Sequence, residues 1–263
     1  MAKVESSLDP DLLKRLHRAL VAGGDELYVV LQDPAMEVLR NTLKNRNLGE
    51  EHLLSLLKRR DLSEDLLKAV YQLPVARESH RLQLALVRNP GTPGPVVLTI
   101  LPHLHLFELV DLCYLAGITP DQKYAAERAI LQRLPTTELG NKLTVARRAT
   151  AAVAGEIIKG GDPRLVEICL SNPHLQEVAI LQLLNSAAAG AETISMIGRH
   201  QKWQARPNLR LAMLRNPQTP EIWFVQFLPA LRTPDVRNLL AAKRLNPRQK
   251  KLVEEELRRR GGP

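Results

Sequence analysis

Apolar residues recur along this chain at helical spacing. In residues 82–104 (LQLALVRNPGTPGPVVLTILPHL) Leu82 and Leu86 stand four apart, and in residues 209–231 (LRLAMLRNPQTPEIWFVQFLPAL) so do Leu209 and Met213. That interval puts side chains on one face of an α-helix, whereas a strand would alternate apolar and polar positions, and no segment here does so. A first helical stretch is expected over residues 8–32, interrupted at Ala22, Gly23, Gly24 and Asp25, with Asp33-Pro34 opening the next. The segments NRNLGEEHLLSLL and DLSEDLLKAV continue as helices, the second started by Ser63. Residues 106–115 and 120–134 form another pair, separated by AGIT. Residues 136–159 read as a helix of small residues ended by Gly160-Gly161, and Ala187 to Gly190 break the chain before TISMIGRH. Residues 234–260 read as a closing hairpin that turns at Asn246-Pro247.

The two segments quoted first are copies of one another. Displaced by 127 residues, they agree at 11 of 23 positions, including Leu82/Leu209, Arg88/Arg215, Asn89/Asn216, Pro90/Pro217, Thr92/Thr219 and Pro93/Pro220. A third copy at residues 164–184, displaced by 83, keeps Arg164, Leu165, Asn172, Pro173, Leu181 and Leu184. Weaker copies surround Arg133 and Pro135, and lie 43 residues upstream, where Leu39 and Leu43 are kept. Displacements of 43, 83 and 127 are one, two and three units of about 42 residues, the mark of a repeat architecture. The turn between the helices has a chemical rationale. Asn89 and Asn216 are expected to end a helix in the left-handed conformation, and Pro90 and Pro217 cannot continue it. Thr92 and Thr219 then serve as N-caps, with Pro93 and Pro220 at the first helical position.

LALVRNPGTPGPVVLTIL and LAMLRNPQTPEIWFVQFL resemble the units of HEAT-like and leucine-rich repeat variant α-solenoids, which often read as an apolar helix, an Asn-Pro-x-Thr-Pro turn and a second helix. The resemblance runs over roughly residues 30–240. It implies an all-α fold: a right-handed α-solenoid of stacked helical pairs with a period of about 42 residues. Residues 1–263 would form a single domain, with an N-terminal cap (1–32), repeats (33–233) and a basic C-terminal cap (234–263). The function implied is that of an interaction surface. Some leucine-rich repeat variant proteins also carry an N-terminal iron–sulfur cluster held by cysteines. Here no cysteine precedes Cys113, and that cofactor is not carried over; no cofactor is expected.

Charge changes this picture at one end. The 263 residues include 37 Lys+Arg and 28 Asp+Glu, a net charge of +9. Residues 1–198 are close to neutral at −1, while residues 199–263 hold 15 basic and 5 acidic residues, a balance of +10. Such asymmetry points to an anionic partner. The segment Arg199, His200, Lys202, Arg206 and Arg210 surrounds Trp203, whose indole suits stacking on a base or a cation. A second basic cluster comprises Lys243, Arg244, Arg248, Lys250 and Lys251. The opposing reading packs Trp203 against a neighbouring repeat and leaves the cations solvated. Trp223, Phe224 and Phe227 fall on the repeat's apolar positions and are expected in the core.

No Gly-rich phosphate loop, HExxH or GxSxG motif occurs, and no catalytic residue is assigned. His103 and His105 stand two apart, a spacing that does not bring side chains together on a helix, so no metal site is expected there. Cys113 and Cys169 lie among apolar residues and read as structural. Two cysteines exclude a disulfide framework and a four-cysteine zinc site. With no apolar run of membrane-spanning length and no secretory h-region at the start, a cytoplasmic location is expected. The leading function is a non-enzymatic binding scaffold whose basic C-terminal part docks nucleic acid or an acidic protein surface, without membrane or small-molecule cofactor. One alternative is a HEAT-like glycosylase acting on alkylated DNA, drawing on Trp203, Trp223 and Asp235; another is a purely protein–protein scaffold.

Overall fold

The computed structural model describes residues 9–241 and 244–261, and among these the regular structure is wholly helical. The helices group into two compact units, Met1–Ile130 and Leu131–Pro263. The first unit carries α1 (Pro10–Val21), α2 (Asp25–Val30), α3 (Met36–Thr42), α4 (Glu50–Leu56) and α5 (Glu64–Gln72). It continues with α6 (Pro74–Glu78), α7 (His80–Arg88), α8 (Gly94–Ile100), α9 (Leu106–Leu112) and α10 (Pro120–Arg133), whose last three residues fall in the second unit. The second unit has α11 (Leu139–Arg148), α12 (Ala151–Lys159), α13 (Pro163–Leu170), α14 (Glu177–Leu184) and α15 (Ala191–Arg199). Its remaining helices are α16 (Gln201–Gln204), α17 (Pro207–Arg215), α18 (Glu221–Phe227), α19 (Thr233–Ala241) and α20 (Pro247–Arg259).

These two sets are one pattern written twice. Adding 127 to the bounds of α7 and α8 gives those of α17 and α18, and the 3₁₀ turn Leu101–His103 becomes Leu228–Ala230. Every other helix of the first unit maps onto its counterpart to within two residues at each end. The displacement found in one 23-residue segment therefore runs through the whole described chain. Packing follows the same rule. Helices α1, α2, α3, α4 and α7 rest on α3, α4, α5, α7 and α9, and α11, α12, α13, α14 and α17 rest on α13, α14, α15, α17 and α19.

Local chemistry explains where the helices begin and end. Ser63, Ser79, Thr150 and Asn246 accept a backbone N–H from the first turn of α5, α7, α12 and α20, satisfying a donor that has no partner inside the helix. The cap at Thr150 divides the expected helix of residues 136–159 into α11 and α12, because Ala149 and Thr150 are extended. In α7, Leu82, Leu86 and Val87 turn inward and are buried, each such aliphatic side chain contributing about 1.5–3 kcal/mol.

The repeated turn works differently from the expectation. Asn89 and Asn216 are extended (φ −81°, ψ 121° and φ −83°, ψ 126°), not left-handed. Their side chains are buried and span the gap to the preceding helical pair. Asn89 Nδ2 donates to the carbonyls of Leu57 (2.9 Å) and Arg59 (2.7 Å), while its Oδ1 accepts the Gly91 N–H at 3.0 Å. Asn216 Nδ2 donates to Leu184 O at 2.7 Å and its Oδ1 accepts from Gln218. Asn45 makes the same bracket to Ala19 and Ala22, and Asn172 to Ala146 and Ala149. The four brackets obey the 127-residue displacement. Thr92 and Thr219 are likewise not N-caps: their hydroxyls donate back to Leu86 O and Met213 O, and Pro93 and Pro220 occupy the cap positions instead.

The halves differ in how they fill their cores. Trp223 and Gly198 stand where the first unit has Val96 and Tyr71. Trp223 is buried and donates its indole N–H to Ser195 Oγ at 3.1 Å. A Cβ at Gly198 would lie 2.8 Å from the Trp223 ring and 2.9 Å from Met213 Cε, so the glycine is there for space.

Two predictions follow from this packing. Asn89→Ala and Asn216→Ala each leave buried carbonyls and an N–H without a partner and lower stability by roughly 2–4 kcal/mol in urea unfolding, whereas the exposed Asn185→Ala changes it by less than about 0.5 kcal/mol. Gly198→Ala destabilises by about 1–3 kcal/mol through overpacking, and adding Trp223→Val recovers part of that loss in a double-mutant cycle.

Candidate functional site

The basic segment of the second unit begins at Arg199, the exposed last residue of α15. Trp203 lies on the single turn of α16, only 2% exposed, and its indole N–H donates to Leu170 O at 2.9 Å. The ring is thus enclosed by the fold, and the stacking role considered for it has no open face; Lys202 Nζ sits 4.2 Å from its centroid. Arg206 faces Glu177 at 3.9 Å. Arg210 donates to Gln204 O at 2.5 Å, its guanidinium 5.4 Å from the Phe227 ring centroid. Trp223, Phe224 and Phe227 are buried as expected.

Much of the second basic cluster is internally balanced. Arg248 pairs with Glu221 at 3.7 Å, Lys250 with Glu254 at 3.8 Å and Lys251 with Glu255 at 3.9 Å. Lys243 lies outside the described residues. Arg244 is exposed and makes no ion pair among them. At the end of α20, Glu256 accepts from Arg259 and Arg260, and Arg260 donates on to Leu231 O (2.7 Å) and Leu228 O (2.6 Å). The hydrogen bond from Arg259, reinforced by that from Arg260, holds the Glu256 carboxyl below its ordinary range.

Unpaired cations line two concavities at the Asn-Pro turns. In the first unit, Leu54, Leu57 and Ala85 face a groove of about 460 Å³ together with Lys58, Arg60, Arg81, Arg88 and one carboxylate, Glu51. Arg81 is engaged by Glu50 (3.4 Å) and Glu51 (2.7 Å); the exposed Lys58, Arg60 and Arg88 make no ion pair among the described residues. In the second unit a groove of about 300 Å³ is lined by Leu184, Asn185, Arg215, Asn216, Pro217 and Arg244, among others. Leu57, Lys58, Arg88, Asn89 and Pro90 correspond to Leu184, Asn185, Arg215, Asn216 and Pro217 at the 127-residue displacement. The same structural feature, with an arginine at the same place, is built in both units. Of the expected residues, only Arg244 lines it; the grooves depend on which helix ends meet, and only the shared arginine of the repeat signalled them.

A second constellation brings together residues the sequence kept apart. His105 caps α9, and Glu108 three residues on accepts the His105 backbone N–H at 2.7 Å. His80, at the start of α7, puts Nε2 2.9 Å from both Glu108 carboxylate oxygens, and the His80 and His105 ring centroids are 4.3 Å apart. The imidazole of His80 and the N–H of His105 hold the Glu108 carboxyl below its usual range, against the opposing effect of burial. The sequence pairing of His103 with His105 missed this, because His80 arrives from another helix.

The residues considered for glycosylase chemistry each have partners inside the second unit. The indole N–H groups of Trp203 and Trp223 are both spent inside the fold, and the Asp235 carboxylate is held by Arg232 at 2.9 Å. Burial pushes the Cys113 and Cys169 thiols up to about 12, far from the thiolate that cysteine chemistry requires. No protein family, curated protein or solved structure compared with the chain matches it.

The Glu256 clamp has a pH signature. A carboxyl whose folded pKa is depressed stabilises the fold fully above its unfolded pKa, near 4.3, and loses that contribution as acid titrates through the lower folded value. Glu256→Gln therefore lowers the Tm at pH 7, and the gap to the native chain closes as the pH falls below about 4, measured by thermal melts across pH.

Proposed function

We propose that this chain is a non-enzymatic binding scaffold, a right-handed α-solenoid of stacked helical pairs that docks an acidic protein segment through its Asn-Pro grooves and basic C-terminal part. Helices that pack on the helix two or three places further on, and a displacement of 127 residues that equals three units of about 42, support the solenoid reading. The observation that carries the binding reading is the twin groove, with Arg88 and Arg215 in equivalent positions and unpaired among the described residues. An apolar floor of Leu54, Leu57 and Ala85 beneath Lys58, Arg60 and Arg88 suits a chain that alternates carboxylates with aliphatic side chains. Neither groove is lined by an aromatic residue, and single-stranded nucleic acid is ordinarily held by stacking on such rings. In the second unit the exposed Arg199 and Lys202, with no ion pair among the described residues, add to the positive field that draws an acidic partner in.

The test is fluorescence anisotropy with a labelled Glu/Leu-rich peptide and, separately, a DNA duplex. The peptide binds, binding weakens with added salt, and Arg88→Glu and Arg215→Glu each weaken it roughly tenfold, about 1.4 kcal/mol. Peptide binding indifferent to both substitutions overturns the groove assignment. Tighter binding to the duplex, with a steep salt slope, replaces the protein partner by nucleic acid.

A further inference from the structure

We propose that His80, His105 and Glu108 form a binding site for a divalent transition-metal ion, with Zn²⁺ the best fit, which staples the start of α7 to the start of α9. One ligand atom from each residue lies within 4.8 Å of the others, so small side-chain rotations bring all three to the bond lengths of about 2.0–2.2 Å that zinc takes with imidazole nitrogen and carboxylate oxygen. Two imidazoles and one carboxylate are a borderline-soft set that favours zinc and its neighbours over calcium or magnesium, which prefer oxygen throughout.

The carboxylate is already oriented. Glu108 Oε2 is held by the His105 backbone N–H at 2.7 Å, which leaves Oε1, 2.9 Å from His80 Nε2, to bind the ion. A fixed second oxygen of this kind is what metal sites use to aim a carboxylate ligand. Metal binding at His80 Nε2 needs that nitrogen free of its proton: a neutral ring carries it on Nδ1 instead, and an imidazolium gives one proton up to solvent. Three protein ligands leave a fourth position for water. Glu108 also borders a concavity of about 200 Å³, lined with it by Leu84, Val87, Arg88 and Asp111.

The duplicated half supplies the control. At the positions of His80, His105 and Glu108 the second unit has Pro207, Arg232 and Asp235. There α17 and α19 start at equivalent places, and an Arg232–Asp235 pair at 2.9 Å stands where the histidine–glutamate pair stands in the first unit. The helical pattern is met without imidazoles, so folding alone does not account for two histidines converging on one carboxylate.

The experiment titrates the full chain, stripped with a chelator, with ZnCl₂ by calorimetry, and follows Co²⁺ binding by its visible absorption. The native chain takes up one equivalent at the site, and Zn²⁺ raises its Tm by mass action. His105→Arg and His80→Pro, which install the residues of the second unit, keep the helical circular dichroism but weaken this binding at least about 100-fold and abolish the Tm rise. His103→Ala leaves both intact. If either second-unit residue disturbs the helix, His105→Ala and Glu108→Gln serve as replacements with the same expected loss. The proposal is overturned if no saturable equivalent binds, if binding persists in folded His80 and His105 variants, or if His103→Ala removes it.

Discussion

A side-chain amide that reaches backwards organises this molecule. Asn45, Asn89, Asn172 and Asn216 each place a buried Nδ2 on carbonyls at the end of an earlier helix while Oδ1 closes the turn that launches the next. Helix C-termini leave carbonyls without intrahelical partners, and burying them against a neighbouring pair would be costly without a donor. Asparagine offers two donors and an acceptor at one short reach, which neither Ser nor Leu can do. The bracket thereby fixes both the spacing of successive pairs and the direction in which the chain leaves. Gln249 makes a longer version of the contact near the chain's end, donating to Pro217 O and Thr219 O.

Helix content and the positions of the turns were legible because they rest on local rules. Apolar spacing marks α7 and α17, and Ser63 sits at its cap as its sequence context indicates. The part played by Asn89 was not legible. Pro90 biases Asn89 toward extended backbone, but the partner that its side chain meets, the carbonyl of Leu57 some thirty residues away, carries no local signal. The extent of the duplication was hidden because equivalent core positions carry unlike side chains, Val96 in one unit and Trp223 in the other.

Charge was legible only as a total. An excess of cations in residues 199–263 is plain in the sequence, yet Glu177 reaches Arg206 from another helix, and Glu254 and Glu255 lie one helical turn from Lys250 and Lys251. Among the cations left over, Arg215 and Arg244 line the Asn-Pro groove of the second unit. Trp203 shows the same limit: beside lysines and arginines it has the composition of a nucleic-acid contact, and its indole instead closes the carbonyl of Leu170. His80 and Glu108 carry no shared signal at all, since 28 residues separate them.

The exchange of Tyr71 and Val96 for Gly198 and Trp223 bears on how the chain finds its own halves. Two tandem copies with matching helix bounds invite helices of one copy to dock in the other, the characteristic failure of repeated sequences during folding. A segment bearing Val96 in place of Trp223 would leave unfilled space over Gly198, where the indole now sits within 3 Å of where a Cβ would stand. Such an exchange loses packing, so the difference in volume between Val96 and Trp223 works against it.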